Sequence, residues 1–308
     1  MMNRMWWGGV LFSVMSYGCV GHLDGDDKAD TSLDDAGPQD DVSDDVIEDV
    51  EDAHDVITDV PADDTTPPPP SGSLDCASIE DVLLCEDFES GSIRSSIWTK
   101  SLKNGGAADV STAQVKQGDY ALRITLPPAQ GGRGYIYVEN VFPVTGNHVF
   151  GRVYFYITPE VYGVHNEAFY IGGELTLGGM TGEAVYRLST GGNNDKFGSR
   201  YVHPYITSEQ GLHIHGGLKK GAHTMVENQW RCIEWEYDGP NNKMRFWFDG
   251  VEETTMTVNG NENPLWKAPP AFQTFYLGYA TVQQPQATSY VYYDALVLDT
   301  ERVGCGTP

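Results

Sequence analysis

Residues 75–308 of this 308-residue chain predict an all-β fold, a sandwich or barrel of short strands. Three observations carry the prediction. Apolar side chains alternate with period two in short runs, as they do where a strand buries one face. Clusters of Gly, Pro, Asn and Asp punctuate those runs at close intervals. No segment carries the 3.6-residue stripe of a long amphipathic helix. Short strands separated by turn signals suit a sandwich or a closed barrel.

The alternation is readable strand by strand. In "GRVYFYIT", Val153, Phe155 and Ile157 share one face, and Arg152, Tyr154 and Tyr156 the other. In "WRCIEWEYD", Ile233, Trp235 and Tyr237 oppose Cys232, Glu234 and Glu236. In "KMRFWFDG", Met244, Phe246 and Phe248 oppose Arg245 and Trp247. The last two runs flank Gly239-Pro240-Asn241-Asn242 and read as a hairpin, with Asp249-Gly250 as the next tight turn. "TFYLGYAT" and "SYVYYDALVLD" continue the pattern, while "SIEDVLLCEDF" is expected to hold one helical turn.

The N-terminal 74 residues are of a different kind. Arg4 precedes an apolar run from Met5 to Met15, too short to span a bilayer but suited to the core of a signal peptide. Gly18-Cys19 then forms a partial lipobox, with Ser16 standing where an aliphatic residue is usual. Residues 1–19 are thus expected to be a signal peptide ending at Cys19, the lipidation site. Residues 20–74 hold eighteen acidic residues against the single Lys28, and so carry most of the net charge of −25. They contain no aromatic residue and end in Pro67 to Pro70 and Ser71-Gly72-Ser73. Such a tract buries too little apolar surface to offset the entropy of ordering. It is expected to be a disordered, extended tether, and the absence of a basic patch argues against a nucleic-acid partner.

Export favours disulfides. Setting Cys19 aside leaves Cys76, Cys85, Cys232 and Cys305, which allow three pairings. Cys76–Cys85 with Cys232–Cys305 is favoured, and a Cys85–Cys305 bond stays open.

Three fragments in order point to a family: "CEDFESG" followed by Trp98, "WRCIEWEYDGPNNKMRFWFDG", and the terminal "YYDALVLDTERVGC". Together they resemble concanavalin A-like jelly-roll domains, and more closely the glucuronan-lyase-like group around polysaccharide lyase family 20 with its cellulose-associated secreted relatives. The resemblance implies a jelly-roll β-sandwich over 75–308 whose first and last strands are neighbours. It also implies a structural calcium ion near those strands. Glu89 and Asp294 would give carboxylate oxygens, and the turn around Gln117 and Tyr120 backbone or side-chain oxygens.

Eliminative cleavage of a uronate polysaccharide needs a group that neutralises the carboxylate, a base and an acid. Candidates in the middle of the chain are His165, Arg152, Tyr154, His203 and Tyr205. His213 and His215, two apart on one strand face, would make a zinc site with His203, but no acidic partner is identifiable. The E-x-D-x-x-E string of a retaining glycosidase and the G-x-S-x-G of a serine hydrolase do not occur. The expected protein is extracytoplasmic, held by lipid at a bacterial envelope or outer-membrane surface, or otherwise secreted. Its jelly roll would engage a polysaccharide, with lyase activity as one outcome. A non-catalytic carbohydrate-binding lipoprotein and an adhesive surface module are the alternatives.

Overall fold

The computed structural model describes residue 76 and residues 81–159, 166–177, 179–190, 196–207, 211–224, 226–260 and 267–305, with side chains left undescribed at 180, 196 and 199–218. The signal peptide, Cys19 and the acidic tether lie outside the described residues, as does His165.

The strands run in chain order β1 (Leu84–Glu86), β2 (Thr99–Lys103), β3 (Ala107–Ser111), β4 (Ala121–Leu126), β5 (Arg133–Val138) and β6 (His148–Ile157). Next come β7 (Asn166–Leu177), β8 (Met180–Thr190), β9 (Lys196–Thr207), β10 (Gly211–Thr224), β11 (Arg231–Asp238) and β12 (Lys243–Phe248). The last are β13 (Val251–Glu252), β14 (Val258–Asn259), β15 (Thr274–Thr281) and β16 (Ser289–Asp299). They form two antiparallel sheets. The nine-stranded sheet is ordered β13-β12-β11-β6-β16-β4-β3, with β1 added on β16 and β14 on β12. The seven-stranded sheet is ordered β10-β9-β8-β7-β15-β5-β2. This is a jelly-roll sandwich: the alternation predicts a sandwich or barrel, and the family resemblance implies the jelly roll.

The inner faces meet in one core. Val153, Phe155 and Ile157 of β6, Ile233, Trp235 and Tyr237 of β11, and Met244, Phe246 and Phe248 of β12 all lie in it. Trp235 ties the two sheets together. Its indole stacks on Phe275 at 5.6 Å and packs against Phe169 at 4.2 Å, both from the seven-stranded sheet. It fits because its cross-strand partner is Gly151, where a Cβ would lie 2.0 Å from the indole ring.

The first and last strands are neighbours: Leu84 to Glu86 pair with Leu298 to Leu296. The tract expected to hold a helical turn therefore contains a strand instead. The reason is tertiary. Pairing with β16 holds Leu84–Glu86 extended, and the Cys76–Cys85 disulfide, Cα atoms 5.4 Å apart, brings Cys76 back beside that strand. Cys232 and Cys305 form the second disulfide at a Cα separation of 5.8 Å, so the favoured pairing is the one present. Two disulfides fit an oxidising, extracellular setting.

A bulge in β16 sets the geometry of one edge. The register slips between Asp294 and Val297, and Ala295 sits at φ +51°. Before it, Val291 and Tyr293 face the core; after it, Leu296 and Leu298 do. The extra residue changes the phase of the strand after Asp294, which itself continues the outer-face alternation of Tyr290 and Tyr292.

Candidate functional site

Register alone assembles the main candidate. On the seven-stranded sheet, Tyr137 pairs with Tyr276, Tyr276 with Tyr170, and Tyr170 with Arg187. Directly paired residues share a face, so one side chain per strand lines up across β5, β15, β7 and β8. The neighbours Ile136, Leu277, Ile171 and Tyr186 point into the core, so the row lies on the outer face. It spans three inter-strand gaps, roughly 14 Å.

The rings form a continuous surface. Tyr170 stacks on Tyr276 at 4.3 Å and 14°, and Tyr276 meets Tyr137 at 5.0 Å. Tyr135 braces them edge-on, 5.4 Å from Tyr170 and 6.2 Å from Tyr276. Its hydroxyl donates to the carbonyls of Glu167 and Ala168 where β7 is irregular. Burial keeps the Tyr170 phenol protonated well above its usual range and pushes Tyr276 up to about 12.

Charge surrounds this surface. The Arg187 guanidinium lies 5.5 Å from the Tyr170 ring centroid and is ion-paired with Glu167. Arg187 Nε and Ser189 Oγ are buried without a hydrogen-bond partner, and so is Arg133 Nε on β5. Buried polar groups are normally satisfied, so three open groups around one aromatic face mark a place where a ligand or water completes the bonding. Glu183, on β8 opposite Glu174, reaches solvent. Its carboxylate folds over Gly172, where a Cβ would come within 2.8 Å of Glu183 Oε1. Packing around that carboxylate raises it above the ordinary range, with Arg187 opposing.

The residues expected from sequence do not share one face. Arg152 and Tyr154 belong to β6 of the nine-stranded sheet, whereas His203 and Tyr205 belong to β9 of the seven-stranded sheet. Arg152 stacks beside Tyr154 at 5.5 Å, and the Tyr154 hydroxyl donates to the Cys305 carbonyl at 2.9 Å. His203 pairs with His215 and Tyr205 with His213; the backbone register alone is described there. Sequence reading passed over Tyr137, Tyr276 and Glu183. Each belongs to a different strand, and only the cross-strand register connects them.

The four residues expected to hold calcium do gather. Asp294 Oδ2 accepts from the Lys116 and Gln117 amides at 2.9 and 3.0 Å. The Glu89 carboxylate accepts from the amides of Asp119 and Tyr120. The loop thus offers N–H groups, not the oxygens expected of it. Asp294 Oδ1 is buried without a partner, and burial pushes this carboxyl up to about 6, with the Glu89 charge adding to the rise. The orphaned Asp294 oxygen and the Glu89 carboxylate would give a hard cation two of its ligands, and the rest of the six to eight oxygens that calcium takes would be water.

A third cluster, His148, Glu236 and Asp238, has metal-like spacing. Lys243 and Arg245 already neutralise Glu236, and Asp238 caps the turn at Asn241.

The two antiparallel sheets pack as a concanavalin A-like jelly roll, one of whose outer faces is aromatic and flanked by cations. It is similar in fold to the cellulose induced protein Cip1, at 18% identity and a TM-score of 0.54, over 72% of this chain and 100% of that one. It is also similar to the endo-β-1,4-glucuronan lyase of the fungus Trichoderma reesei, at 15% identity and a TM-score of 0.53, over 71% of this chain and 96% of that one. No protein-family model and no curated protein matches the sequence.

Proposed function

We propose that the outer face of the seven-stranded sheet binds a polysaccharide and cleaves it by β-elimination beside a uronate. The observation that carries this is the cross-strand row Tyr137–Tyr276–Tyr170–Arg187. These tyrosine rings stack on one another, so the row offers apolar ring edges and polar tips, which suit the C–H groups and hydroxyls of a pyranose. Arg187 and Arg133 flank the rings as carboxylate partners, and each keeps a buried N–H open. The fold likeness to a glucuronan lyase supports the same reading. A non-catalytic binding face is the second reading, because the same rings can hold sugars without chemistry. A polyuronate panel, read for both affinity and the ultraviolet chromophore of an unsaturated product, separates the readings. Binding with product supports cleavage, binding alone supports the second, and neither outcome removes both.

Two further parts complete the proposal. Calcium held by Glu89 and Asp294, next to the Gln117–Tyr120 turn, would clamp the first strand region to the last. Cys19 would carry the lipid that holds the protein at the envelope, its jelly roll facing outward on the acidic tether. Cys19→Ser should then move the protein from the membrane to the soluble fraction; unchanged partitioning would count against the anchor.

A further inference from the structure

We propose that Glu183 is the base that removes the proton α to the carboxylate of a uronate ring lying against the outward edges of Tyr170 and Tyr276, with the Tyr170 hydroxyl protonating the leaving oxygen. This rests on the β-elimination reading above and assigns its two proton carriers.

Position comes first. Glu183, Val185 and Arg187 alternate on β8, so Glu183 shares the outer face with the tyrosine row. Gly172 stands on the same face of β7, two residues from Tyr170 and paired with Val185. Its missing side chain leaves a hollow, and the Glu183 carboxylate occupies it: a Cβ there would meet Oε1 at 2.8 Å and Val185 Cγ1 at 3.0 Å. The same carboxylate acts electrostatically on both Tyr170 and Tyr276, and Arg187 acts on it. It therefore lies beside the two stacked rings, where a sugar would rest.

Availability comes second. Three carboxylates belong to this face of β7 and β8. Glu167 is committed to Arg187. Glu174 is exposed and lies directly opposite Glu183 across the β7–β8 pair, and its carboxylate is not the one that fills the hollow at Gly172. Among the described residues, no hydrogen bond or salt bridge claims the Glu183 oxygens. The charged and titratable groups facing it are Arg187 on its own strand, Glu174 and Tyr170 on β7 and Tyr276 on β15; Arg133 on β5 acts on both rings.

Chemistry follows. A carboxylate whose pKa is raised is a stronger base than an ordinary one. Burial keeps the Tyr170 phenol protonated but makes it a weaker acid, so its proton moves only as charge grows on the leaving oxygen. Glu183 takes the C5 proton, and that electron pair becomes the C4=C5 bond. The C4–O bond breaks, and the leaving sugar oxygen takes the Tyr170 proton. Arg187 and Arg133 oppose the negative charge that grows on the substrate carboxylate. Proton return from the Glu183 carboxylic acid to the Tyr170 phenolate, directly or through water, restores both groups. No oxidant or further reactant is needed.

The test uses the full chain and 1,4-linked polyuronates. Affinity is measured by titration under slow-turnover conditions, and kcat by unsaturated product. Glu183→Gln should lower kcat by about 100-fold or more while leaving affinity within about threefold and the denaturation midpoint unchanged. Glu183→Asp should restore part of the rate. Wild-type kcat should fall on acidification as Glu183 protonates, and the residual rate of the Gln variant should lack that limb. Wild-type binding without product overturns the assignment and leaves the binding face intact. No binding of any polyuronate overturns both. A Gln variant within threefold of the wild-type rate shows that Glu183 is not the base.

Discussion

The two outer faces are built from similar residues and are satisfied in different ways. On the nine-stranded sheet the charges pair with one another. Arg302 grips Glu234 through two nitrogens, at 2.8 and 3.1 Å. Arg245 grips Glu252 and also reaches Glu236, and Arg123 grips Asp109. Trp247 lies between two of these guanidinium groups, 4.6 Å from Arg245 and 4.4 Å from Arg302. On the seven-stranded sheet the aromatic rings stack on each other, and Arg187, Arg133 and Ser189 keep open polar atoms. A face that satisfies its own groups needs no ligand. Arg152 and Asp294 are exceptions on the paired face: two Arg152 nitrogens and Asp294 Oδ1 are buried without partners, and burial lowers the Arg152 pKa. The lesson concerns arrangement more than composition: aromatic residues, Arg residues and open polar atoms occur on both faces, and on the seven-stranded sheet the open atoms flank a continuous row of rings, which makes it the candidate site.

The largest expected effect concerns what the faces share. Trp235 is fully buried and joins the sheets through Phe169 and Phe275. Trp235→Ala should destabilise the full chain by about 3–5 kcal/mol, read by chemical denaturation. A loss under 1 kcal/mol would mean that the two sheets do not meet on this side chain.

Next is the edge carrying Asp294. Its folded carboxyl titrates near 6 against an ordinary value of 3.8. A raised folded pKa gives stability that is complete below the unfolded value and lost as pH rises through the folded one. Asp294 should therefore cost about 3 kcal/mol at pH 7 relative to pH 3. Calcium should offset that cost, since a ligand that binds only the folded form adds about 2.7 kcal/mol at 100 times its dissociation constant. A melting temperature at pH 7 unmoved by chelator and by excess calcium would remove the site. Asp294→Asn should raise stability without calcium and abolish the calcium response.

The comparison itself is tested by binding. Tyr276→Ala removes the central ring of the row and should weaken polyuronate affinity by about 30-fold, the scale of a 2 kcal/mol hot spot. Tyr290→Ala, on the paired face, should leave affinity unchanged. Equal losses from both would show that the open face is not special.

Much of the fold was legible because strand alternation is local. Val153, Phe155 and Ile157 show their common face within five residues, and β11 and β12 announce their hairpin through Gly239 to Asn242. The site was not legible for the opposite reason. Tyr137, Tyr170, Arg187 and Tyr276 meet through strand order and register, which are long-range properties. Arg152 and Tyr154 attracted notice because they alternate within one strand. Alternation shows that two residues share a face, but not which sheet carries it. The segment around Leu84 also misled, since local propensity cannot see the distant strand that extends it.

The smallest expected effect separates self-pairing from energetic importance. Arg123 and Asp109 are directly opposed on β4 and β3 and make a bidentate pair at 3.0 and 2.6 Å. That hydrogen bonding raises the Arg123 pKa. Both side chains are well exposed, at 31% and 45%. Water and salt screen such a pair, and holding two long side chains costs entropy, so its coupling should be only about 0.2–1 kcal/mol. A double-mutant cycle on Arg123→Ala and Asp109→Ala, read by denaturation of the full chain, measures that coupling. It should shrink further in high salt. None of the three variants should alter polyuronate affinity. A coupling above 2 kcal/mol would mean that the paired face contributes much more to holding the sandwich together than its exposure allows. A change in affinity would mean that saturation by internal partners does not exclude a face from ligand binding, and the contrast between the two sheets would lose its basis.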